Sequence, residues 1–277
     1  LKKKRFDKDV FRYIFIVIAI ALFTGPILWI LLSSFKSPNE ILNSDPSFFP
    51  RNISFENYSA LFEDHSFIRF FINSIIVTVI STFLGVLFGT LAAYSFARTN
   101  TTMSNLLFVT VMSFRMLPAI VLVIPLFLLM KNLGLLNTYL GLILAYTTFT
   151  LPFAIFLMTG FIQQIPRELE ESALIDGCSR LQAILKVVFP LAAPGIATTT
   201  IFSFLVAWND YLFAVTLTST TKVRTLAVGI AGFNTARNVS IGPMFAALVL
   251  GVIPLLIVTL FAQKHLIKGL TLGALKG

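Results

Sequence analysis

Residues 166–194 read PRELEESALIDGCSRLQAILKVVFPLAAP, a polar island between two long apolar segments, and the rest of the chain is organised around it. Pro166 suits a helix start, where the missing N–H is one that the first turn leaves unpaired anyway. Glu168, Glu170 and Glu171 follow in the first turns, where the positive end of the macrodipole favours carboxylates. Leu169 and Ala173 are one turn apart, with Ser172 and Asp176 beside them, and Gly177 supplies a flexible or left-handed stop. The spacing predicts a short helix with a face of small residues, which another surface can approach closely. An amphipathic connector would show the same pattern over these residues alone; Gly177 and the downstream Pro190 favour the docking helix.

Of the 277 residues, 57% are hydrophobic and 12% charged, and the mean hydropathy is +0.89, whereas soluble domains have roughly 45–50% and about 25%. This is the composition of an integral membrane protein. Twenty-nine phenylalanines suit lipid contact better than a small water-soluble core. The formal charge of +9 lies mostly in short segments flanking apolar spans, so membrane topology accounts for it and a nucleic-acid partner is set aside. The single cysteine, Cys178, rules out an internal disulfide. The basic N-terminus resembles a signal peptide, but its apolar run is too long and has no small-x-small cleavage site, which predicts a retained anchor helix.

A bilayer core about 30 Å thick needs on the order of 20 helical residues. Six segments reach that length: 13–32, 70–97, 106–130, 139–162, 192–216 and 243–263. Gly85, Gly89, Pro118, Pro125, Pro152 and Pro254 inside them predict kinks or close helix contacts. With 1–12, 98–105, 163–191 and 264–277 on one side, that side holds thirteen Lys and Arg (6, 1, 3 and 3) against seven opposite (3, 1 and 3). The positive-inside rule then puts both termini and the 163–191 loop in the cytoplasm. Residues 33–69 should form an ordered external loop, rich in Pro, Asn and Ser.

Glu171-Ser172-Ala173, three spacers, Gly177, nine spacers and Val187-Val188-Phe189-Pro190 follow the order Glu-Ala-Ala, Gly, Ile-x-Leu-Pro. This resembles the cytoplasmic coupling loop of ATP-binding-cassette (ABC) importer permeases, with Ser172, Val187 and Phe189 as conservative departures. Phe71-Ile72-Asn73-Ser74, the Trp208-Asn209 pair and the tail Lys268-Gly269-Leu270 to Gly277 resemble the carbohydrate-type, maltose-like branch of that family. The resemblance implies an all-α, six-span permease of the type I importer fold, a single domain over 1–277, in a prokaryotic inner or plasma membrane. It also implies a second homologous permease, two ATP-binding cassette subunits holding ATP and Mg, an extracytoplasmic solute-binding protein and a sugar substrate. Glu171, Ser172, Ala173, Asp176 and Gly177 would then form the ATPase contact, with the tail 264–277 lying against the same subunits. For the tail, a basic end that merely fixes topology is the other reading.

Ionisable groups inside spans point by default at a pathway or a partner. On a continuous third span, Arg115 would sit about 15 Å deep at 1.5 Å per residue, near the midplane. Asp210 falls toward the outer third of the fifth span, in Ala207-Trp208-Asn209-Asp210-Tyr211. Trp208, Asn209, Asp210 and Tyr211 offer an aromatic face together with amide and carboxylate groups, as a sugar site requires. Either Arg115 and Asp210 face one polar cavity, or each pairs with a neighbouring helix; Trp208 and Tyr211 also fit interfacial anchors. No Gly-x-x-x-x-Gly-Lys-Ser/Thr phosphate loop is present, so ATP hydrolysis is expected in separate subunits. An ion-coupled secondary transporter using Asp210 and Arg115 is the alternative, and a scaffold without a transport path is a third reading.

Overall fold

The computed structural model describes the backbone of residues 2–41, 47–63, 65–235 and 238–274, and the side chains of these apart from 2–11, 65, 234–239 and 262–274. In chain order the elements are α1 (Lys2–Ser34), α2 (Pro38–Ile41), α3 (Glu56–Glu63), α4 (His65–Arg98), α5 (Thr102–Met116), α6 (Ala119–Asn132) and α7 (Tyr139–Gln163). They continue with α8 (Glu168–Ile175), α9 (Arg180–Ala183), α10 (Phe189–Trp208), α11 (Leu212–Leu217) and α12 (Leu226–Ala231). The strands β1 (Asn234–Thr235) and β2 (Asn238–Val239) pair antiparallel before α13 (Ile241–Ala274). Among the described residues five helices are long and apolar enough to cross a bilayer, and the bent pair α5–α6, counted as one broken span, makes a sixth. The all-α, six-span expectation therefore holds.

The chain divides into two compact units. In the first, residues 1–68 with 230–253, the segment after α1 is tied back onto the helix end as an ordered loop. Asn57 is buried and its amide donates to the carbonyls of Ser34 and Lys36 at 3.0 and 2.7 Å. Tyr58 and Ser34 share a hydroxyl hydrogen bond of 2.8 Å, and the Phe35 ring packs on Phe55 and Tyr58. Lys36 is buried, with its ammonium 4.4 Å from the Trp29 ring centroid and bonded to the Ser47 carbonyl. These partnered polar groups are what allow a sequence without a core of its own to be ordered.

The second unit, residues 69–229 with 254–277, is built on α4, α7 and α10. Gly85 and Gly89, one turn apart on α4, lie against α7: a Cβ at Gly85 would collide with Thr150, and one at Gly89 would come within 2.6 Å of the Ala154 Cβ. Small residues at that spacing let two helix backbones approach where no hydrophobic driving force exists between lipid and helix. Gly195 of α10 meets the Phe161 ring of α7 in the same way. At one end of these helices Ala93, Met158, Ile162, Val188 and Ala192 form a core under α8. Toward the other end a larger cluster gathers Val77, Leu142, Tyr146, Ala207, Phe213 and Leu217.

Three expectations about the spans need correction. The third is not one helix: α5 and α6 meet at a 100° bend. Leu117 before Pro118 is extended (φ −67°, ψ 133°), since the proline ring disfavours the helical conformation for its predecessor, and Pro118 itself has ψ 133°. The fifth span is displaced toward the N-terminus, running from Arg180 to Trp208. It includes a π-helical turn at Ile184–Val188, where Pro190 offers no N–H to continue the α ladder, and it ends before Asp210, with α11 as a separate short helix. The tail, expected to begin at residue 264 after the sixth span ends, instead prolongs that helix over its described backbone: α13 continues to Ala274. The side-chain contacts expected of residues 264–277 lie outside the described residues.

Candidate functional site

The connector between α7 and α10 carries α8, and its first carboxylates divide between two faces. Glu170 is 8% exposed. Its Oε1 accepts from Arg98 Nε at 2.6 Å and forms an ion pair with Arg98 Nη2, while Oε2 accepts from the Tyr94 hydroxyl at 2.8 Å. Arg98 Nη2 also donates to the Ile165 carbonyl at 3.1 Å, and Arg167 Nη2 reaches the Ala97 carbonyl at 3.4 Å. Charge-assisted bonds of this kind are roughly twice as strong as neutral ones, so the last turn of α4 grips α8. Glu168 and Glu171 remain exposed.

Ala173 is 9% exposed and shares the inward stripe with Glu170, three residues earlier. This corrects the expectation that Ala173 is presented outward as part of a small-residue face. What α8 presents is Leu169, Ser172, Asp176 and above all Ile175, which is 86% exposed. The helix stops as expected at Gly177, which has φ +89°. Cys178 N–H donates to the Ala173 carbonyl at 3.0 Å and Gly177 N–H to the Leu174 carbonyl at 3.1 Å, the paired bonds of a Schellman motif. The chain restarts at once in a capping box, with Ser179 and Gln182 each bonding the other's backbone N–H.

The five residues singled out for the pathway do not form one cluster. Arg115, near the end of α5, lies over the rings of Phe153 and Phe156 at 4.4 and 5.4 Å. It borders a largely apolar groove of about 510 Å³ between the α5–α6 break and α7, lined also by Phe114, Leu126, Phe149 and Pro152. Asp210 is absent from that groove. Its Oδ2 accepts from Ala214 N–H at 3.1 Å, closing the first turn of α11, and its carbonyl receives the Tyr146 hydroxyl at 3.4 Å. Trp208 is buried, stacked on Phe204 at 5.7 Å and edge-on to Phe71 at 5.9 Å. Asn209 turns its amide back onto the Leu205 carbonyl at 2.8 Å, and Tyr211 is 46% exposed. The Asp210 carboxylate thus closes the turn that follows it, and Arg115 rests on aromatic faces.

At the end of α4 remote from α8, a set of side chains to which the sequence reading gave no role, Asn73 and Ser74 among them, orders the loop 218–226. Asn73 Nδ2 donates to the carbonyls of Lys222 and Arg224 at 3.1 and 2.9 Å, and Tyr139 donates to Asn73 Oδ1 at 2.6 Å. Ser74 Oγ accepts from Leu226 N–H at 2.7 Å. Asn137, at φ +57°, accepts from the N–H groups of Ser219 and Thr220. The usable signal for Asn73 and Ser74 was their position, polar residues just inside an apolar span.

A multi-pass helical chain that carries a short, apolar-tipped helix between two of its spans has the form of a membrane permease, and its likeness to known proteins puts it among the permease subunits of ABC importers. The chain belongs to the family described as binding-protein-dependent transport system inner membrane component, whose profile matches residues 85–272. It is 38% identical over 265 residues, 95% of this chain and 93% of the relative, to the sulfoquinovosyl glycerol transport system permease protein SmoH of Agrobacterium fabrum. It is also 38% identical over 254 residues, 91% of this chain and 92% of the relative, to the trehalose transport system permease protein SugB of Mycobacterium tuberculosis. Among solved structures, a chain of a bacterial ABC transporter involved in the import of the acidic polysaccharide alginate superposes with a TM-score of 0.79 at 25% identity, covering 95% of this chain and 98% of the other.

Proposed function

We propose that this permease imports a sugar or oligosaccharide handed over by an extracytoplasmic solute-binding protein, as one of two homologous permeases driven by two separate ATP-binding subunits. ATP and Mg are bound and ATP hydrolysed in those subunits. The α8 loop and both termini face the cytoplasm, in line with the Lys and Arg count, and α8 docks into the ATPase pair, whose closure and reopening alternate the access of the pathway. Glu171, Ser172, Ala173, Asp176 and Gly177 make up the docking element, Ala173 as its inward support. Arg115, Trp208, Asn209, Asp210 and Tyr211 belong to or shape the pathway, and lipid surrounds the spans.

The observation that carries this reading is the exposed apolar tip of a helix set between two spans: Ile175 projects 86% exposed from a helix pinned by a largely buried ion pair. A large exposed apolar side chain on an otherwise polar connector fits a partner surface. The sugar class rests on the named substrates of the relatives. The ion-coupled alternative required Asp210 and Arg115 as a working pair; the first is occupied by the α11 turn and the second by two phenylalanine rings. The test is uptake of a panel of labelled mono- to tetrasaccharides into proteoliposomes that hold the whole complex, supplied with ATP and no ion gradient. Uptake that follows an ion gradient and ignores ATP would overturn the reading.

A further inference from the structure

ATP-driven import requires the ATPase side and the substrate side of the membrane to respond to one another, and the role of α4 rests on that reading of the chain. Two hydrogen-bonded grips are made to this one helix, at its two ends. Glu170 holds Tyr94 and Arg98, while Asn73 and Ser74 hold the backbone of Lys222, Arg224 and Leu226. The 25 residue steps from Asn73 to Arg98 span about 37 Å of continuous helix, all within α4. We propose that α4 is the strut that transmits the movement of α8 to the loop 218–226 on the opposite face, with Glu170 as the latch at one end and Asn73 as the latch at the other.

The geometry meets the requirements of such a strut. No proline interrupts α4, and Gly85 and Gly89 seat it directly against α7, so the two helices form one stiff body. That body is gripped twice at the far end, because Tyr139 at the start of α7 donates to the same Asn73 that holds the loop carbonyls. At the near end α8 follows α7 through the short connector Gln164–Arg167, which alone would let α8 swivel. The Glu170–Arg98 ion pair and the Tyr94 bond remove that freedom. A displacement of α8 is then passed to α4 and not absorbed in the connector. Glu170, Arg98, Tyr94 and Asn73 are positioning residues in this scheme; none has to touch nucleotide or substrate.

The test uses the whole importer in nanodiscs. Backbone hydrogen–deuterium exchange is followed over 218–226 and over α8, with and without trapping of the ATP-binding subunits by Mg-ATP and orthovanadate. In the wild type, trapping should change exchange in both segments. In Glu170→Gln, which keeps the shape and loses the charge, nucleotide should still be trapped while the response of 218–226 shrinks about tenfold, the scale of one lost charge-assisted bond. Asn73→Ala should do the same from the other end. Tyr94→Phe removes one hydrogen bond and no charge, and serves where Glu170→Gln fails to assemble; an about threefold loss is expected. A merely structural Glu170 would loosen α8 in both states and leave the trapping response of 218–226 intact, and that result would overturn the strut. A wild-type loop indifferent to trapping would overturn it as well. Failure of vanadate to trap nucleotide in the wild-type complex would instead bring down the ATP-driven reading beneath it.

Discussion

Replacing Gly177 by Val probes the end of α8 in a way that separates conformation from contact. At φ +89° a β-branched residue is strained, yet a Cβ built at this position meets nothing within 4 Å of the chain's own atoms. The intramolecular cost is therefore conformational, about 1–3 kcal/mol for a residue held in the left-handed region. That corresponds to roughly a 5- to 150-fold loss in population of the turn. With it go the Cys178 to Ala173 and Gly177 to Leu174 hydrogen bonds, so α8 frays where Ile175 and Asp176 project. Gly177→Val is expected to insert into membranes normally and to lose both retention of the ATP-binding subunits in a pull-down and ATP-driven uptake in proteoliposomes. Gly177→Asn is the companion, since asparagine tolerates the left-handed region, and should retain association. Wild-type uptake and ATPase retention in Gly177→Val would refute the reasoning outright. Equal loss in the Asn variant would move the cause from the turn to a partner pressed against the open space above Gly177.

Gly85→Leu should drive α4 off Thr150 of α7 and lower stability by about 1–3 kcal/mol, as overpacking does; the detergent-solubilised melting midpoint should fall, whereas Gly160→Ala, with open space around its Cβ, should leave it unchanged. Asp210→Asn keeps an oxygen that can accept from Ala214 N–H, so ATP-driven uptake without an ion gradient should survive with a modest reduction, and its abolition would restore an ionic role for the carboxylate. The N–H of Arg51, followed by the Ser47 hydroxyl, holds the partly exposed Glu40 carboxyl below its ordinary value of 4.5. A lowered folded-state value contributes stability above the ordinary carboxylate range that is lost as pH falls through the folded value; exchange at Arg51 N–H should therefore rise on acidification in the wild type and be pH-independent in Glu40→Gln apart from the intrinsic rate.

The spans were legible because lipid imposes a demand that composition alone can meet: a run of about 20 apolar residues with its backbone bonded internally. Gly85 and Gly89 were readable as a close contact for the same reason, since small residues four apart have few other uses inside a span. What composition does not encode is the backbone course where two demands compete. The third segment is largely apolar but carries Arg115 and two prolines, and the chain breaks at Pro118 yet stays helical through Pro125; whether a proline tilts a helix or divides it depends on whether neighbours can accept the freed backbone groups. The end of the fifth span was misplaced for a related reason. Trp208 and Leu212 are equally apolar on either side of Asn209-Asp210, and the stop appears only once Asp210 is seen to accept from a later N–H.

Helix α8 shows the same limit at finer scale. Its existence, its length and its left-handed stop follow from local rules, because capping and dipole effects act within one turn. Which face it turns inward does not, since Glu168, Glu170 and Glu171 satisfy the dipole equally well. The choice is made by Arg98, 72 residues earlier in the chain: one basic group at the end of α4 is paired with one of three nearby carboxylates, and that pairing rotates Ala173 inward and Ile175 outward. Burying this ion pair costs desolvation, which an apolar contact of the same size would avoid. An ionic latch in place of a greasy one is explained if α8 must keep one orientation while it is pushed, because an apolar face slides across its neighbours at little cost whereas a guanidinium–carboxylate contact has fixed geometry.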